Sequence, residues 1–436
     1  MKKLIKIATL VLSVCFVGQI AFAAGFGLYE FSARGNAMGG AVLAGDAEPA
    51  SLALNPALIT QLPGKQVQLS ATLVTAKIND VEYGSAKTDT DREWWPLPAF
   101  YYTQQLNEKW WLGLGAFTRF GLSNTYSDKG WVLPAAGLGG SLNHVGVVTY
   151  TVQPTVAYKA TDRLSVSAGV EVQYLNFTEK VRFGNQDTTL ADLNLDGDSY
   201  SASGIISFFY NANEKVNFGG SFRMRNDHSV RGRNKYDYVN PDQMIIGPGP
   251  TYSQFINSGD FWGDITFPAQ LALGASYKPT DKWLFEFNWT NIFWSCFRSV
   301  DIYFDHRPIY GNKGMMGSKE GNMKQYQDSY RIGLGTEYTL NEKTKLRGSF
   351  IYDKSPLNDQ FLDVMLPADD RYIIGVGAGF DLGKNVILDL SYNALFVQGL
   401  KGEYTTLNAS NQIVHGPVHY KSSISHLFGL SVRYTF

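Results

Sequence analysis

Few residues in this sequence have types and spacings that could do covalent or metal chemistry. His426 follows Ser425, but both lie in an alternating run that closes the chain. Neighbours in a strand project to opposite faces, so the two cannot meet as nucleophile and base. His144, His306, His415 and His419 lie in segments without a G-x-S-x-G or comparable context. His415 and His419, either side of Pro417, offer two ligands where a zinc site takes three or four. Asp192, Asn194, Asp196, Gly197 and Asp198 follow the D-x-N-x-D-G opening of a calcium loop. Position twelve is Ser203 where a bidentate Glu is needed, and no helix flanks it, so a solvated loop is expected. Neither an enzyme, a metal site nor a cofactor is expected.

The elements that would position any site begin after an export signal. Lys2, Lys3 and Lys6 precede an apolar run from Ile7 to Ile20, and Ala21-Phe22-Ala23 supplies a small-x-small cleavage pattern, so residues 1–23 are set aside. Cys15 leaves with them, and Cys296 then has no partner for a disulfide. The formal charge moves from 38 − 39 = −1 to 35 − 39 = −4, too balanced to suggest nucleic acid. Aromatic residues make up 14% of the chain, and no remaining stretch has the length of a spanning helix. Export together with those two properties points to an all-β barrel in a bacterial outer membrane.

Six short polar turns support it: 106–109, 160–163, 211–215, 279–282, 340–343 and 382–385. Each separates two runs of strand character. Leu164, Val166, Ala168, Val170, Val172 and Tyr174 form an apolar face opposite Ser165, Ser167, Gly169, Glu171 and Gln173, and the runs at Val386–Phe396 and Tyr330–Tyr338 repeat the pattern. Twelve hairpin strands, one from about Gln66 to Ala76 and a last from about Ser422 to Phe436 make a fourteen-stranded antiparallel barrel. Longer segments at 79–96, 121–146, 182–197, 232–260, 300–325, 356–368 and 401–420 fall at the other rim and are expected as extracellular loops.

Residues 24–63 break the alternation, being too apolar for a disordered tail and too short for a core of their own. A barrel of this size has a lumen wider than its strand side chains can fill. The segment is therefore expected inside it as a plug, with residues 64–436 forming the barrel and Asn55-Pro56-Ala57 the corner where the chain turns outward to the wall. Arg223, Arg225, Arg331, Arg347 and Arg433, with Glu171, Glu286, Glu337 and Asp389, are expected to face the lumen as a paired network.

AGFGLYEFSARG at 24–35, NPALIT at 55–60, FWGDITFPAQ at 261–270, FNWTNIFWSCF at 287–297, YRIGLGTEY at 330–338, YDKSP at 352–356 and LPADDRY at 366–372 resemble, in order, the FadL family of outer-membrane transporters. The resemblance implies a fourteen-stranded barrel with an N-terminal hatch and passive uptake of long-chain fatty acids or, in some members, aromatic hydrocarbons. It implies capture by extracellular loops, binding in an apolar lumen pocket and sideways release where the third strand kinks. That strand is expected from about Trp110 to Phe120, with Gly113, Gly115 and Gly121 allowing the bend beside Phe120. Phe26, Leu28, Tyr29 and Phe31 at the mobile end of the hatch, with inward Leu175, Leu284, Ile292, Leu395 and Leu427, are the expected pocket residues. Lys180, Arg182 and Arg298 are candidate anchors for a carboxylate. Expected partners are the hydrophobic cargo, membrane lipid and lipopolysaccharide, and the barrel-assembly machinery, for which terminal Phe436 is the signal; a monomer is expected.

One departure limits the cargo assignment. Segment 182–197 is short and polar where the family carries a capture loop, while 232–260 and 300–325 hold Met244, Ile245, Ile246, Phe255, Met315 and Met316, which could line the groove instead. An open general porin and an adhesin remain as alternatives.

Overall fold

Short turns at one rim force successive strands antiparallel, and the alternation fixes which face each side chain takes. In the computed structural model the described residues are 27–436 apart from 79, 85, 127–139, 185–188, 239–257, 306–318, 363–364, 366–368 and 408–412. The expected positions Phe26, Met244, Ile245, Ile246, Phe255, His306, Met315 and Met316, and the export signal, lie outside them.

Fourteen strands form the wall. They are β1 (Lys65–Ala76), β2 (Glu93–Gln105), β3 (Trp110–Phe117 and Gly121–Thr125), β4 (Gly140–Lys159), β5 (Leu164–Gly184), β6 (Thr189–Asn211) and β7 (Val216–Arg223 and Asn226–Tyr238). β8 (Gly259–Phe267 and Gln270–Thr280), β9 (Trp283–Ile292 and Ser299–Phe304), β10 (Lys319–Met323 and Ser329–Asn341), β11 (Thr344–Asp353), β12 (Arg371–Asp381), β13 (Val386–Val397) and β14 (Ser423–Thr435) complete it. β14 pairs back onto β1 from Gln66 with Thr435 to Thr75 with His426, closing the ring, as a spanning sheet must to leave no edge in hydrocarbon.

Val170, Ile206, Leu334, Ile374 and Val376 are exposed on the outer surface. Aromatic ladders bound the apolar band: Trp110 against Tyr158 and Trp283 against Tyr338 near the short turns, and Tyr150–Tyr174–Tyr200 and Tyr330–Tyr352–Tyr372 higher up. Such rings mark the two interfaces. β5 and β6 are 21 and 23 residues long, about twice the 9–11 that cross a bilayer, so their upper halves stand clear of it.

That extension corrects several expected loops. Most of the described residues of 182–197, 232–260 and 300–325 are strand, because a strand above the lipid carries polar residues on both faces and loses the apolar signature. Asp192–Asp198 lies within β6, not in a loop; its carboxylates share the outer face with Arg182, Arg231 and Arg233, in a geometry that cannot wrap an ion. Leu400–Leu407, Ile413–Tyr420, Val81–Tyr83 and Ala86–Thr88 build a separate four-stranded sheet above the barrel, tied by Lys421 and Lys87 to Asp80 and by Glu82 to His419.

Residues Gly27 to Leu62 are hydrogen-bonded to residues of β1, β3, β4, β6, β9, β10, β13 and β14. α1 (Ala33–Ala37) is capped by Ser32, whose Oγ accepts from Gly35 N–H at 2.9 Å and donates to Glu48 at 2.6 Å. The wall reaches the segment through Asn393 Nδ2 on Asn36 O (2.9 Å), Asn288 Nδ2 on Gly40 O (2.6 Å), Gln153 Nε2 on Leu52 O (2.7 Å) and Trp111 Nε1 on Leu62 O (2.8 Å). Below, Glu337 accepts from Arg34, Lys345 and Arg347, and Arg347 also holds Asp389 at 2.6 Å. The expected network is present in part: Glu171 pairs with Arg223, and Arg347 with Glu337 and Asp389, whereas Glu286 accepts from Ala44 N–H, Arg433 donates to Ala47 O and Arg331 lies over the Tyr29 ring. Arg225 is exposed and pairs with Asp227, because the alternation slips at Met224.

Candidate functional site

β2 contains Pro96 and Pro98, two residues apart. The ladder to β1 runs unbroken through both, pairing Pro96 with Leu73 and Pro98 with Ala71, so their missing donors fall on the side of β3. On that side the ladder stops at Phe100 with Ala116, and the second half of β3 pairs only with β4, Gly121 with Val148 to Thr125 with His144. The two strands approach again at Thr90 and Tyr126. Between those points the wall has a gap.

β3 itself is interrupted at Thr118–Phe120, which turn inward and are buried. Arg119 reaches Glu171 at 2.8 Å, and Phe120 N–H donates to Thr149 Oγ1 at 2.9 Å. The start of the N-terminal segment is laid along this kink: Gly27 bridges Phe120, and Leu28 N–H donates to Arg119 O at 2.7 Å. Gly121 directly follows the interruption, whereas Gly113 plays a different part from that expected. A Cβ at Gly113 would stand 3.2 Å from Ile59 and closer to Leu52, so Gly113 admits the N-terminal segment rather than a bend. At Gly115 it would meet the Phe117 ring at 3.0 Å.

Above the segment the interruptions of β3, β8, β9 and β10 bring aromatic rings together. Phe120 stacks on Phe267 at 4.2 Å, Trp294 stands edge-on to Phe120 at 6.2 Å, and Tyr326 meets Trp294 at 5.8 Å and Phe297 at 5.0 Å. Phe31 packs on Phe117 at 5.2 Å, linking the N-terminal segment to the kink. Lys324, also buried, rises between β9 and the Met365 sulfur, which its Nζ approaches at 3.1 Å. Such a site can hold an oily molecule against rings.

Among the expected residues, Leu28, Tyr29, Phe31, Leu175, Ile292, Leu395 and Leu427 are buried in the large hydrophobic core that runs through the barrel and also contains these rings. Leu284 is not part of it; it packs with Met38 and Val42 on the N-terminal segment. Lys180 and Arg298 are exposed, and Arg182 is held by Asp192 at 2.9 Å. Asn55 Nδ2 donates to Leu43 O (2.6 Å) and Phe208 O (2.9 Å) and caps the 3-10 turn Pro56–Gln61, while the chain leaves for β1 later, through Gly64 at φ +63°. Phe117, Phe267, Trp294, Phe297, Tyr326 and Lys324 were missed. Pro268 inside an otherwise continuous strand, and the aromatic density of 287–297, were the available signals.

Residues 14–436 match the family model described as outer membrane protein transport protein (OMPP1/FadL/TodX). The chain belongs to this family. Its members carry hydrophobic compounds across the outer membrane, and that is where this FadL-type barrel resides. It is 24% identical over 472 residues to outer membrane protein P1 of Haemophilus influenzae, covering 95% of this chain and 96% of that one. It is 20% identical over 466 residues to the long-chain fatty acid transport protein of Salmonella typhi, covering 100% and 99%. The fold matches a Pseudomonas aeruginosa FadL homologue (TM-score 0.77, 16% identity, 96% and 100% covered) and the toluene transporter TodX of P. putida (TM-score 0.69, 18% identity, 95% and 99% covered). Family and fold are those of transporters, not enzymes.

Proposed function

We propose that this FadL-family barrel takes up long-chain fatty acids or similarly elongated amphipathic molecules, binds them in the aromatic cluster and releases them sideways between β2 and β3. The observation that carries the reading is that one short stretch, Thr118–Phe120, forms a lip of the gap, part of the ring cluster and the seat of Leu28. Occupancy of the cluster and opening of the gap are thereby coupled. A ligand that parts Phe120 from Phe267 also moves the strand to which the N-terminal segment is hydrogen-bonded. The segment 24–63 acts as the hatch, its start yielding while the Asn55 corner stays fixed. Each buried CH₂ contributes roughly 0.8 kcal/mol, enough for a long chain to bind without catalysis.

The acid reading sets a carboxylate beside the buried Lys324, a charge-assisted contact that a neutral hydrocarbon cannot make. Uptake of radiolabelled oleate and of toluene by cells whose own transporter is deleted tests this. The barrel should restore oleate uptake, and K324M should weaken oleate uptake while leaving any toluene uptake unchanged. Equal loss of both sinks the assignment of Lys324, and no uptake above barrel-free cells sinks the transport reading itself.

A further inference from the structure

The wall is unzipped at a second place. β6 and β7 pair below from Asn217 with Asn211 up to Arg223 with Ile205, and above from Arg231 with Asp198 to Tyr238 with Ala191. Between these ladders, Ser199–Gly204 and Met224–Val230 have no ladder pairing to each other, although Met224 N–H still reaches Gly204 O at 2.9 Å. Each side keeps its other neighbour: Ser199–Gly204 stays registered with Leu175–Val170 of β5, and Asn226–Val230 with Phe267–Gly263 of β8. The seam is therefore local to one strand pair. From one ladder to the next β6 takes 205 − 198 = 7 steps and β7 takes 231 − 223 = 8, so β7 carries one extra residue. An ordinary bulge of one residue disturbs the ladder over one or two positions and then restores it. Here five residues of β6, Ser199–Ser203, make no ladder pairing to β7.

The residues along the seam suit a passage. On β6 they are Ser199, Tyr200, Ser201, Ala202, Ser203 and Gly204, all small except Tyr200. On the outer side Tyr200 is 73% exposed and Met224 49%, giving an apolar mouth at the level of the upper tyrosine ladder. On the inner side Asn226 and His228 are each 1% exposed, and Asn226 Nδ2 and His228 Nδ1 have no hydrogen-bond partner. Across the unzipped stretch the Ser201 Oγ to Asn226 Oδ1 bond is long at 3.4 Å, while His228 Nε2 reaches past β6 to Gln173 Oε1 of β5 at 3.0 Å. The His228 ring lies 5.6 Å from Phe267, the ring that stacks on Phe120, so the seam opens inward onto the aromatic cluster. Its lower end is also tied to the β3 kink, because Glu171 accepts from both Arg119 and Arg223.

We propose that the seam between β6 and β7 is a second lateral doorway through which an elongated apolar molecule passes between the aromatic cluster and the outer leaflet. The inference rests on the transport reading above. Unpaired main chain facing hydrocarbon is costly, and a wall that keeps it beside small side chains and unsatisfied inner groups is built to part there at little further cost.

The test uses the full chain in the C296S background, so that the only thiols are those introduced. S201C/N226C is bridged with a short bifunctional thiol reagent in intact cells, and oleate uptake is compared before bridging, after it and after reductive release. S201W, which fills the seam without a cross-link, provides an independent second variant. Folding of each barrel is checked by its heat-modifiable gel mobility. Bridging should lower uptake by about half or more, reduction should restore it, and S201W should reproduce the loss. If the unbridged barrel transports normally and neither bridging nor S201W changes the rate, the doorway is refuted while the transport reading stands. Absence of uptake by the parent barrel would instead refute the transport reading.

Discussion

Replacing Glu171 with Gln tests whether the β3 kink is held by charge. Glu171 is fully buried and accepts from Arg119 at 2.8 Å, from Arg223, and from Ser203 at 3.4 Å. Gln keeps the shape and one acceptor but leaves two buried guanidiniums without a counter-charge. Removing one partner of a buried pair costs about 3–5 kcal/mol. Arg223 also donates to Ala53 O in the N-terminal segment, so the loss should appear both as global instability and as local loosening of the kink. Urea unfolding of the refolded barrel in detergent micelles, read by tryptophan fluorescence and gel mobility, should show the lower midpoint with an unchanged slope. Amide exchange should quicken at Leu28 and Phe120, whose N–H groups bond to Arg119 O and Thr149. The triple variant R119L/E171L/R223M, which removes all three charges, should recover most of the stability. If E171Q costs under about 1 kcal/mol, or the triple variant is worse than E171Q, the charges do not hold the kink.

F120A deletes a fully buried ring stacked on Phe267 and should cost about 3–5 kcal/mol in the same assay while weakening cargo retention. N55A strands two carbonyls, Leu43 O and Phe208 O, at about 1–3 kcal/mol each, and should expose the N-terminal segment to limited proteolysis that the parent resists. G113V should push Leu52 and Ile59 away from β3 and show the same proteolysis, whereas a glycine needed only for bending would leave the segment protected. At Asp80, hydrogen bonds from Lys421 and Lys87 hold the carboxyl at about 2, below the usual 3.8. Its support of the outer sheet is therefore complete above pH 4 and lost as pH falls through about 2. Amide exchange at Val81–Tyr83 should quicken over that interval, and D80N should show the fast rate at neutral pH.

The wall was legible in the sequence wherever lipid met one face, because hydrocarbon allows no polar side chain there and the period of two is then explicit. It failed where that pressure lifts. Asp192–Asp198 stands above the membrane, polar on the outer side, and reads as a loop although it is strand. Arg225 was assigned inward by extending the alternation across Met224, where one extra residue reverses the faces. The gap was expected from the family resemblance alone; its signal in the residues, Pro96 and Pro98 with two missing donors on one edge, was not used. The pairing of Glu171 with Arg223, and of Arg347 with Glu337 and Asp389, followed from alternation alone. Which rings meet in the cluster did not, because Phe120, Phe267, Trp294 and Tyr326 come from four interrupted strands, and an interruption's direction depends on packing across the bore.

The interruptions in β3, β7, β8, β9 and β10 divide the cylinder into two storeys joined at a landing. Below it, strands are registered to each other and to the N-terminal segment, so a change of one residue propagates around the circle. Above it, each upper half-strand can shorten, lengthen or turn without altering that foundation. The outer rim can therefore be reshaped in the upper storey while the registers below are left untouched.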